Sequence, residues 1–523
     1  MATNIMYNIN RRGGRSGRKN LVYNVSLGCF FPLEGSGWTQ NGAKEGMRMK
    51  SNESTHAGIN DHKSDTSQMN NPSFNYWLSG VILISAIILF LLIQSIVTQE
   101  TTAYQSVVLF FSYFGMLSVA VSLVFRQKKA PRNECYRPFV SIIIPAKNEE
   151  FVIEETVRSI AGLNYRKNNK PNYEILVVDD SSTDGTSAIL ERLAKEIPML
   201  RPLKRNPGDG PKGKSAVLNF GLRHSMGEVI AVFDADTRVE PDFLKISVPY
   251  LFDPKVAGVQ GRVRILNAQE NMLTQLQEDE FATFAHMWQI SKDVYGGVMI
   301  LAGNGQVTKR AALEDAGGWN ELSATDDMDL TLKFLITGKL VRYCPEAMVW
   351  QEGITQMKPL LRQRMRWAEG MLKCLFDYLF PLIFAKGITV MQKFDSIMGV
   401  ARITIPMVIW IGYLHLFLTY AFSYSFHSSL PQPVVDSLAW LFFIVTSAGL
   451  LKYVAKANLF TLIRVPIYWA YNFCWVIAVP VGFMNAIKHY DCIEWDKTDH
   501  RGEAEKAARA RQLAGAGNVT ADA

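Results

Sequence analysis

The sequence predicts an α/β domain with a mostly parallel sheet, inserted between N-terminal and C-terminal transmembrane helices. Residues 139–367 alternate β-rich runs with helical runs, and long apolar runs with few charges stand on both sides of them. Strands that alternate with helices form parallel sheets. About twenty apolar residues suffice to cross a bilayer as a helix. The 523 residues are enough for several such units.

The elements follow from local patterns. In the domain, runs rich in β-branched residues predict strands at Val140–Pro145, Glu174–Val178 and Val229–Phe233, and helical runs lie at Glu149–Ala161 and Thr186–Glu196. Apolar runs predict membrane helices at Tyr76–Val97, Tyr104–Phe125, Ile397–Ala421 and Val434–Val454. Leu459–Ile487 is interrupted by an arginine and two prolines, so we expect an interfacial or re-entrant piece there.

Six segments are expected along the chain: a basic, disordered N-terminal region (1–72), two transmembrane helices (73–126), the α/β domain (127–370), an interfacial helix (371–396), transmembrane or re-entrant helices (397–490) and a cytosolic tail (491–523). Arg126, Lys128, Lys129 and Arg132 follow the second apolar run, which predicts that the domain lies on the cytosolic side of the membrane. The basic start could be a transit peptide, but its weak amphipathicity favours a tail beside the membrane.

The composition disfavours a nucleic-acid partner, a zinc site and a disulfide framework. The net charge of +7 is modest and the basic residues form no stripe interleaved with aromatics, so nucleic acid is not expected. The six cysteines include no C-x-x-C pair and have no histidine pair nearby. Neither a zinc site nor a disulfide framework is therefore expected.

The strand predicted at Val229–Phe233 ends on two acids. Asp234 and Asp236 follow it with one alanine between them. Two carboxylates at this spacing can converge on one hard cation where the backbone turns, commonly Mg2+ or Mn2+ shared with the phosphates of a substrate. Taken alone, such a pair is more often only an acidic turn, so the neighbouring motifs decide between the two interpretations.

Another strand end and a turn carry polar side chains of the same kind. Asp179 and Asp180 follow the second strand and could accept hydrogen bonds from a nucleobase imide and a ribose hydroxyl. Capping of the next helix by Ser182 or Asp184 is the structural alternative, and both can hold. Lys214, in a flexible turn ahead of a helix, is suited to the anionic part of a nucleotide sugar.

Two later helical runs carry charged residues. The run 325–329 reads T-D-D-M-D, and one of its carboxylates could act as general base for an incoming hydroxyl while the others cap the helix. Gln363, Arg366 and Trp367 share a helix face. An arginine there can hold a diphosphate while the indole stacks on a sugar. The structural alternative is an interface helix with a snorkelling arginine.

Taken in this order, the motifs resemble the membrane-embedded family 2 glycosyltransferases, which include cellulose, hyaluronan and poly-N-acetylglucosamine synthases. The resemblance covers 139–367 and extends to the flanking membrane helices. It implies a GT-A fold, a UDP-sugar donor and inversion at the anomeric carbon. It assigns uridine binding to Asp179 and Asp180, metal and diphosphate binding to Asp234 and Asp236, the base to Asp327, and the family's Q-x-x-R-W motif to Gln363, Arg366 and Trp367. Asp326 stands where many members have glutamate, which leaves open which acid of the pair is the base.

Within that group, further stretches resemble the cyanobacterial β-monoglucosyldiacylglycerol synthases: 146–150, 230–236, 303–306, 317–321, 325–330 and 363–370. This resemblance implies transfer of glucose from UDP-glucose to the free hydroxyl of diacylglycerol at the membrane. A processive synthase that extends a polysaccharide shares every donor-site motif and is the main alternative. A non-catalytic scaffold is disfavoured because every acid is present.

Overall fold

The computed structural model describes residues 72–127, 130–323, 325–454 and 457–488. Residues 1–71 of the predicted N-terminal region, the basic pair Lys128 and Lys129, and the predicted tail lie outside the described residues. The strands are β1 (Val140–Ala146), β2 (Arg166–Lys167), β3 (Lys170–Pro171), β4 (Tyr173–Asp180), β5 (Leu200–Arg205), β6 (Val229–Val232), β7 (Arg238–Val239), β8 (Val256–Ile265), β9 (Gln306–Lys309) and β10 (Leu340–Gln351).

The helices are α1 (Pro72–Thr98), α2 (Thr102–Val124), α3 (Ile153–Ala161), α4 (Thr186–Glu196), α5 (Lys214–His224), α6 (Phe243–Ser247), α7 (Met272–Glu280), α8 (Trp288–Tyr295), α9 (Arg310–Asp315), α10 (Asp326–Ile336), α11 (Met357–Phe384), α12 (Val390–Ala401), α13 (Ile405–Phe422), α14 (Gln432–Tyr453), α15 (Arg464–Tyr471) and α16 (Phe473–Lys488). A π-helical turn at Phe281–Met287 joins α7 to α8. Short 3-10 turns precede α13 and α15.

The predicted α/β class with a mostly parallel sheet is confirmed. Eight strands form one sheet in the order β5-β4-β1-β6-β9-β8-β10-β7. The pairs β5/β4, β4/β1, β1/β6 and β8/β10 are parallel, whereas β9 runs antiparallel to both of its neighbours and β7 is antiparallel to β10. Because β4, β1 and β6 are adjacent and parallel, the polar residues that follow them meet at one edge of the sheet.

Each face of the sheet packs on helices. Ile142 and Ile144 of β1 point into one hydrophobic cluster with Val177 of β4, and Ile143 points into the other with Val178. All five side chains are fully buried. Strands covered on both faces need apolar residues at consecutive positions, which explains the near-continuous apolar run of β1.

Five helical segments are long and apolar enough to cross a membrane by length and composition: Tyr76–Thr98, Thr102–Val124, Val390–Phe422, Gln432–Tyr453 and Thr461–Lys488. Helix α11 runs unbroken through residue 370, where the sequence predicts the domain to end, and continues past Pro381 to Phe384. In the third segment a 3-10 turn, Arg402–Thr404, separates α12 from α13, and Pro406 follows it in the first turn of α13, where a missing N–H costs no helical hydrogen bond.

A buried ion pair joins the α/β domain to α12. Lys292 of α8 lies 3.1 Å from the carboxylate of Asp395, and these side chains are 3% and 1% exposed. Lys292 also donates to the carbonyl oxygen of Val298 at 2.9 Å, while the Val298 N–H donates to Asp395 at 2.8 Å. Tyr295 donates a third hydrogen bond to the same carboxylate, at 2.6 Å. Both charges are thereby paired and hydrogen-bonded, as buried charges require.

Asp395→Asn is expected to destabilise the protein by about 3–5 kcal/mol, because removal of one partner leaves the Lys292 ammonium buried without its counter-charge. The measurement is the unfolding midpoint of the purified protein in lipid. Asp436→Asn is the matched control, because Asp436 is an exposed carboxylate on α14 that accepts a hydrogen bond from Gln432. An equal loss of stability in the two variants would contradict the importance of the buried pair.

Candidate active site

The centre of the site is the ammonium group of Lys214, the first residue of α5. Its Nζ donates to Asp234 Oδ1 at 2.7 Å and lies 4.0 Å from Asp326 Oδ2. The preceding Gly213 has φ +114°, a conformation that glycine adopts readily and that turns the chain into the helix. Burial alone lowers the pKa of Lys214, but the charges of Asp234 and Asp326 outweigh it and raise the pKa above its ordinary value. The side chain is therefore an ammonium ion held between carboxylates.

Helix α10 begins with the two acids predicted to include the base. Burial and the neighbouring Asp326 together raise the pKa of Asp327 to about 7. Burial also raises the pKa of Asp326, although the charges of Lys214 and Arg366 oppose the rise. The Met328 N–H donates to Asp327 Oδ1 at 2.7 Å, whereas Asp326 Oδ2 is buried and has no hydrogen-bond partner among the described residues. A carboxyl group with a pKa near neutrality can both take up and release a proton at physiological pH.

The loop before β9 lies against these acids. A β-carbon at Gly303, which has φ +72°, would lie 3.3 Å from Asp327 Oδ2 and 3.6 Å from Lys214 Nζ. Any larger residue at this position would be strained and would crowd the carboxyl group. The next residue, Asn304, accepts a hydrogen bond from the Asp234 N–H at 3.4 Å. The loop thus fixes the backbone of Asp234 and leaves space beside the carboxyl group of Asp327.

The two acids predicted to bind a metal have different protein partners. Asp234 pairs with Lys214 and remains partly exposed. Asp236 is buried, and its Oδ2 accepts a hydrogen bond from the N–H of Glu352, directly after β10. Within the described ranges, no group of three or more His, Cys, Asp or Glu side chains could hold a metal ion. Two carboxylates fit an Mg2+ or Mn2+ ion that takes its other ligands from substrate phosphates and water.

Asp179 and Asp180 lie at the carboxyl end of β4, and both are engaged by the protein. Asp179 accepts hydrogen bonds from the N–H of Ser182, at 2.9 Å, and from the hydroxyl of Ser187. Asp180 accepts from Arg205 at 2.7 Å, and Lys147 lies 3.5 Å away. The structural alternative, capping of α4 by Ser182 or Asp184, is wrong, because the N-cap residue is Gly185, which has no side chain to cap the helix. Asp179 instead fixes the turn that leads into α4. The role of the two acids toward uridine stays a prediction.

Helix α11 carries the three remaining predicted residues, which have different surroundings. The charge of Arg366 acts on Asp326, so Arg366 belongs to the acid cluster. Gln363 accepts a hydrogen bond from Arg364 Nη1 at 2.7 Å. The ring of Trp367 lies beneath the same guanidinium, whose carbon is 4.2 Å from the ring centroid. The structure thus brings Lys214, the acids and Arg366 together, and places Gln363 and Trp367 around Arg364.

Residues 137–370 match the protein family described as "Glycosyltransferase like family 2". The chain carries a family 2 glycosyltransferase domain. The domain contains the sheet, Lys214, all three pairs of acids and the first turns of α11. The resemblance to family 2 glycosyltransferases that the motifs indicate is confirmed.

Curated relatives of the glycosyltransferase domain include two kinds of synthase. The β-monoglucosyldiacylglycerol synthase of Nostoc sp. is 39% identical over 284 residues, which are 53% of this chain and 59% of that protein. The protein of the same name from Synechocystis sp. is 39% identical over 241 residues, 46% of this chain and 49% of that protein. The chain spans about half to three fifths of the length of these relatives. A poly-β-1,6-N-acetyl-D-glucosamine synthase of Staphylococcus epidermidis is 25% identical over 360 residues, 67% of this chain and 84% of that protein.

The solved structures include a mannosyltransferase from Pyrobaculum calidifontis, determined in complex with GDP-mannose and Mn2+. It superposes with a TM-score of 0.53 at 20% sequence identity, covering 74% of this chain and 97% of that chain. The likeness confirms that the glycosyltransferase domain has a GT-A-like fold.

Sequence reasoning missed the role of Arg364. A second arginine between Gln363 and Trp367 is visible in the sequence, but its partner Glu280 is 84 residues away. Only a buried arginine demands such a partner, and the helical pattern of α11 does not show that position 364 is buried. The sequence signal for a separate role of Arg364 is that two arginines, Arg364 and Arg366, stand two residues apart on one helix.

Asp327→Asn is expected to raise the unfolding temperature at pH 8 and to leave it nearly unchanged near pH 4. The folded pKa of about 7 lies above the ordinary value of 3.8, so ionisation of Asp327 weakens the folded state progressively as the pH rises between these two values. An asparagine does not ionise and avoids that loss. Thermal unfolding of both proteins across this pH range is the measurement.

Asp329→Asn is the control for this experiment. The carboxylate of Asp329 accepts hydrogen bonds from Tyr378, at 2.8 Å, and from Asn320, at 3.2 Å, and pairs with Lys333 at 3.1 Å. The same change should therefore lower the unfolding temperature at pH 8. A destabilised Asp327→Asn protein at pH 8 would mean that Asp327 is a structural carboxylate like Asp329.

Proposed function

We propose that the protein is an inverting glycosyltransferase that moves glucose from UDP-glucose to diacylglycerol in the membrane, giving β-monoglucosyldiacylglycerol. The observation that carries the proposal is the meeting of Asp234, Asp326 and Asp327 around Lys214 in a domain of this family. The printed name of the cyanobacterial relatives supports the acceptor and the sugar.

The charges of the site support a nucleotide-sugar donor bound together with a cation. Three carboxylates act on one ammonium group, so the cluster carries excess negative charge. A diphosphate would be repelled from it unless a cation accompanied the donor. Asp234 and Asp236 would hold a divalent cation, which stabilises the negative charge of the departing diphosphate when bound. Arg366, whose charge reaches Asp326, adds a second positive group to the site.

Asp327 supports the chemistry at the acceptor. A general base must be unprotonated before it can take the proton of an attacking hydroxyl, and its pKa should lie near the working pH. The pKa of Asp327, about 7, meets this condition. Gly303 leaves room beside the same carboxyl group. The acceptor hydroxyl would therefore lose its proton to Asp327 as it attacks the anomeric carbon.

The position of α11 supports an acceptor that comes from the membrane. A β-carbon at Gly482 of α16 would lie 2.8 Å from the Glu369 nitrogen, and one at Gly80 of α1 would lie 2.9 Å from Phe376 Cα. Both partner helices belong to segments long enough to cross a membrane. The helix that carries Arg366 therefore packs directly against the membrane-spanning helices. This packing supports an acceptor that reaches the site from the membrane.

The test of the function is a transfer assay with the purified protein in lipid vesicles that contain diacylglycerol. UDP-glucose, UDP-galactose and UDP-N-acetylglucosamine are each offered with Mg2+, and the products are extracted and identified by mass spectrometry. A chloroform-soluble monoglucosyl lipid is expected. A high-mass or water-insoluble glycan would instead support a processive synthase, the activity named for the Staphylococcus epidermidis relative.

Asp327→Asn is expected to lower the rate of transfer by about a hundredfold or more, because general base catalysis contributes at least that much. Binding of UDP with Mg2+, measured by calorimetry, should remain nearly intact. Asp326→Asn makes the same chemical change one residue away and is the matched control. Full activity of Asp327→Asn together with an inactive Asp326→Asn would assign the base to Asp326.

The pH dependence of transfer provides an independent test. Below about pH 7, kcat/KM should fall about tenfold for each pH unit, because only the unprotonated form of Asp327 accepts a proton. In the Asp326→Asn variant the fall of kcat/KM should begin at a lower pH, because the charge of Asp326 raises the pKa of Asp327 in the wild-type protein. The pH profile of kcat/KM, measured at low donor concentration, gives the apparent pKa of the base in each protein. An apparent pKa that is unchanged or higher in the variant would exclude an effect of the Asp326 charge on Asp327.

A further inference from the structure

Arg364 is an unusual residue in α11 because its whole side chain is buried. Its exposed fraction is 0%, and it stands between two residues that the sequence assigns to the donor site, Gln363 and Trp367. A buried guanidinium needs an acidic partner and several hydrogen-bond acceptors. The partners of Arg364 therefore show what holds this part of the site in place.

Two elements outside α11 hold the guanidinium. Glu280, at the end of α7, lies 2.5 Å from Arg364 Nη2. Tyr471, on α15, donates to the same Glu280 oxygen at 2.6 Å, and Arg364 Nη2 donates to the Tyr471 hydroxyl at 3.0 Å. Three residues from three helices thus form a closed hydrogen-bonded triangle. Tyr471 belongs to the segment Thr461–Lys488, which is long and apolar enough to cross a membrane.

The guanidinium of Arg364 also contacts the two motif residues on its own helix, Gln363 and Trp367. Arg364 Nη1 donates to Gln363 Oε1 at 2.7 Å, which fixes the direction of the amide. The guanidinium carbon lies 4.2 Å from the centroid of Trp367 and 5.6 Å from that of Trp475 on α16. A cation placed over an indole face is attracted by the ring, and more strongly where water is excluded. Arg364 therefore determines the orientation of both Gln363 and Trp367.

We propose that Arg364 is a positioning residue of the donor site, which links the orientation of Gln363 and Trp367 to the membrane helix that carries Tyr471. The inference rests on the proposed function and on the sequence prediction that these two residues act on the nucleotide sugar. Arg364 does not touch the substrate itself. It links the positions of α7 and α15 to the orientation of Gln363 and Trp367.

The Tyr471→Phe variant tests the proposal with the smallest change to the network, because it removes one hydroxyl and leaves the buried charge pair intact. The Kd for UDP-glucose with Mg2+ is measured by calorimetry in lipid nanodiscs. We expect the Kd to rise about tenfold, which corresponds to one hydrogen bond to a charged group. The kcat of transfer should stay within about twofold, since the acids are unchanged.

Tyr468→Phe is the matched control. Tyr468 lies one turn before Tyr471 on the same helix and is equally buried, but its hydroxyl pairs with Thr283 at 3.0 Å. It should leave the Kd for UDP-glucose unchanged while costing a similar amount of thermal stability. Equal changes of Kd in the two variants, or no change in Tyr471→Phe, would overturn the proposal.

A double-mutant cycle tests whether the effect passes through the indole. Tyr471→Phe should weaken the binding of UDP-glucose less in a Trp367→Phe background than in the wild-type protein, because the ring that Arg364 positions is then absent. Additive effects would overturn the role of Trp367. Wild-type protein that binds UDP-glucose without transferring glucose to lipid would contradict the proposed function alone, and the Kd values would still decide the role of Arg364. Wild-type protein that binds no UDP-sugar would overturn both.

Discussion

The attraction between the Lys214 ammonium and the carboxylates around it holds together parts of the domain that are far apart in the sequence. Lys214 begins α5, Asp234 follows β6, and Asp326 begins α10. Without the cation, these carboxylates would repel one another, because little water reaches Asp326 and Asp327 to screen their charges. Burial and the charge of Asp326 raise the pKa of Asp327 to about 7, and the charge of Lys214 opposes that rise. The arrangement of the acids therefore depends on the ammonium group, and their proton affinity depends on burial together with the neighbouring charges.

Helix α11 connects this charged centre to helices that are long and apolar enough to cross a membrane, and three glycines make the connection close. A β-carbon at Gly370 would lie 2.3 Å from Thr325 Cγ2, one residue before the acid pair. Gly482 and Gly80 allow similarly close contact with α16 and α1. Such close contacts are possible only because glycine has no side chain at these positions. The start of α10 is therefore packed directly against the helix that contacts α16 and α1.

The sheet and its edges could be predicted from the sequence because they depend on local patterns. The apolar run of β1 and the acids after β6 lie where the sequence places them, and α4 spans the predicted Thr186–Glu196. The partners of these residues could not be predicted in the same way. The pairs Arg364–Glu280 and Lys292–Asp395 join residues about 80 to 100 positions apart, and a helical pattern does not show which charge is buried. Likewise, the hydrogen bonds that occupy Asp179 depend on the turn geometry.

The surplus negative charge also restricts the acceptor under the proposed function. An anionic lipid would bring its phosphate toward Asp326 and Asp327, where like charges oppose its approach in a buried site. A lipid with an uncharged hydroxyl has no such barrier, and it needs only a base to become a nucleophile. The diphosphate of the donor differs, because it would arrive with a divalent cation and meet Arg366. The electrostatics of the acid cluster thus favour a neutral acceptor such as diacylglycerol over an anionic phospholipid, on the same grounds that favour a cation for the donor.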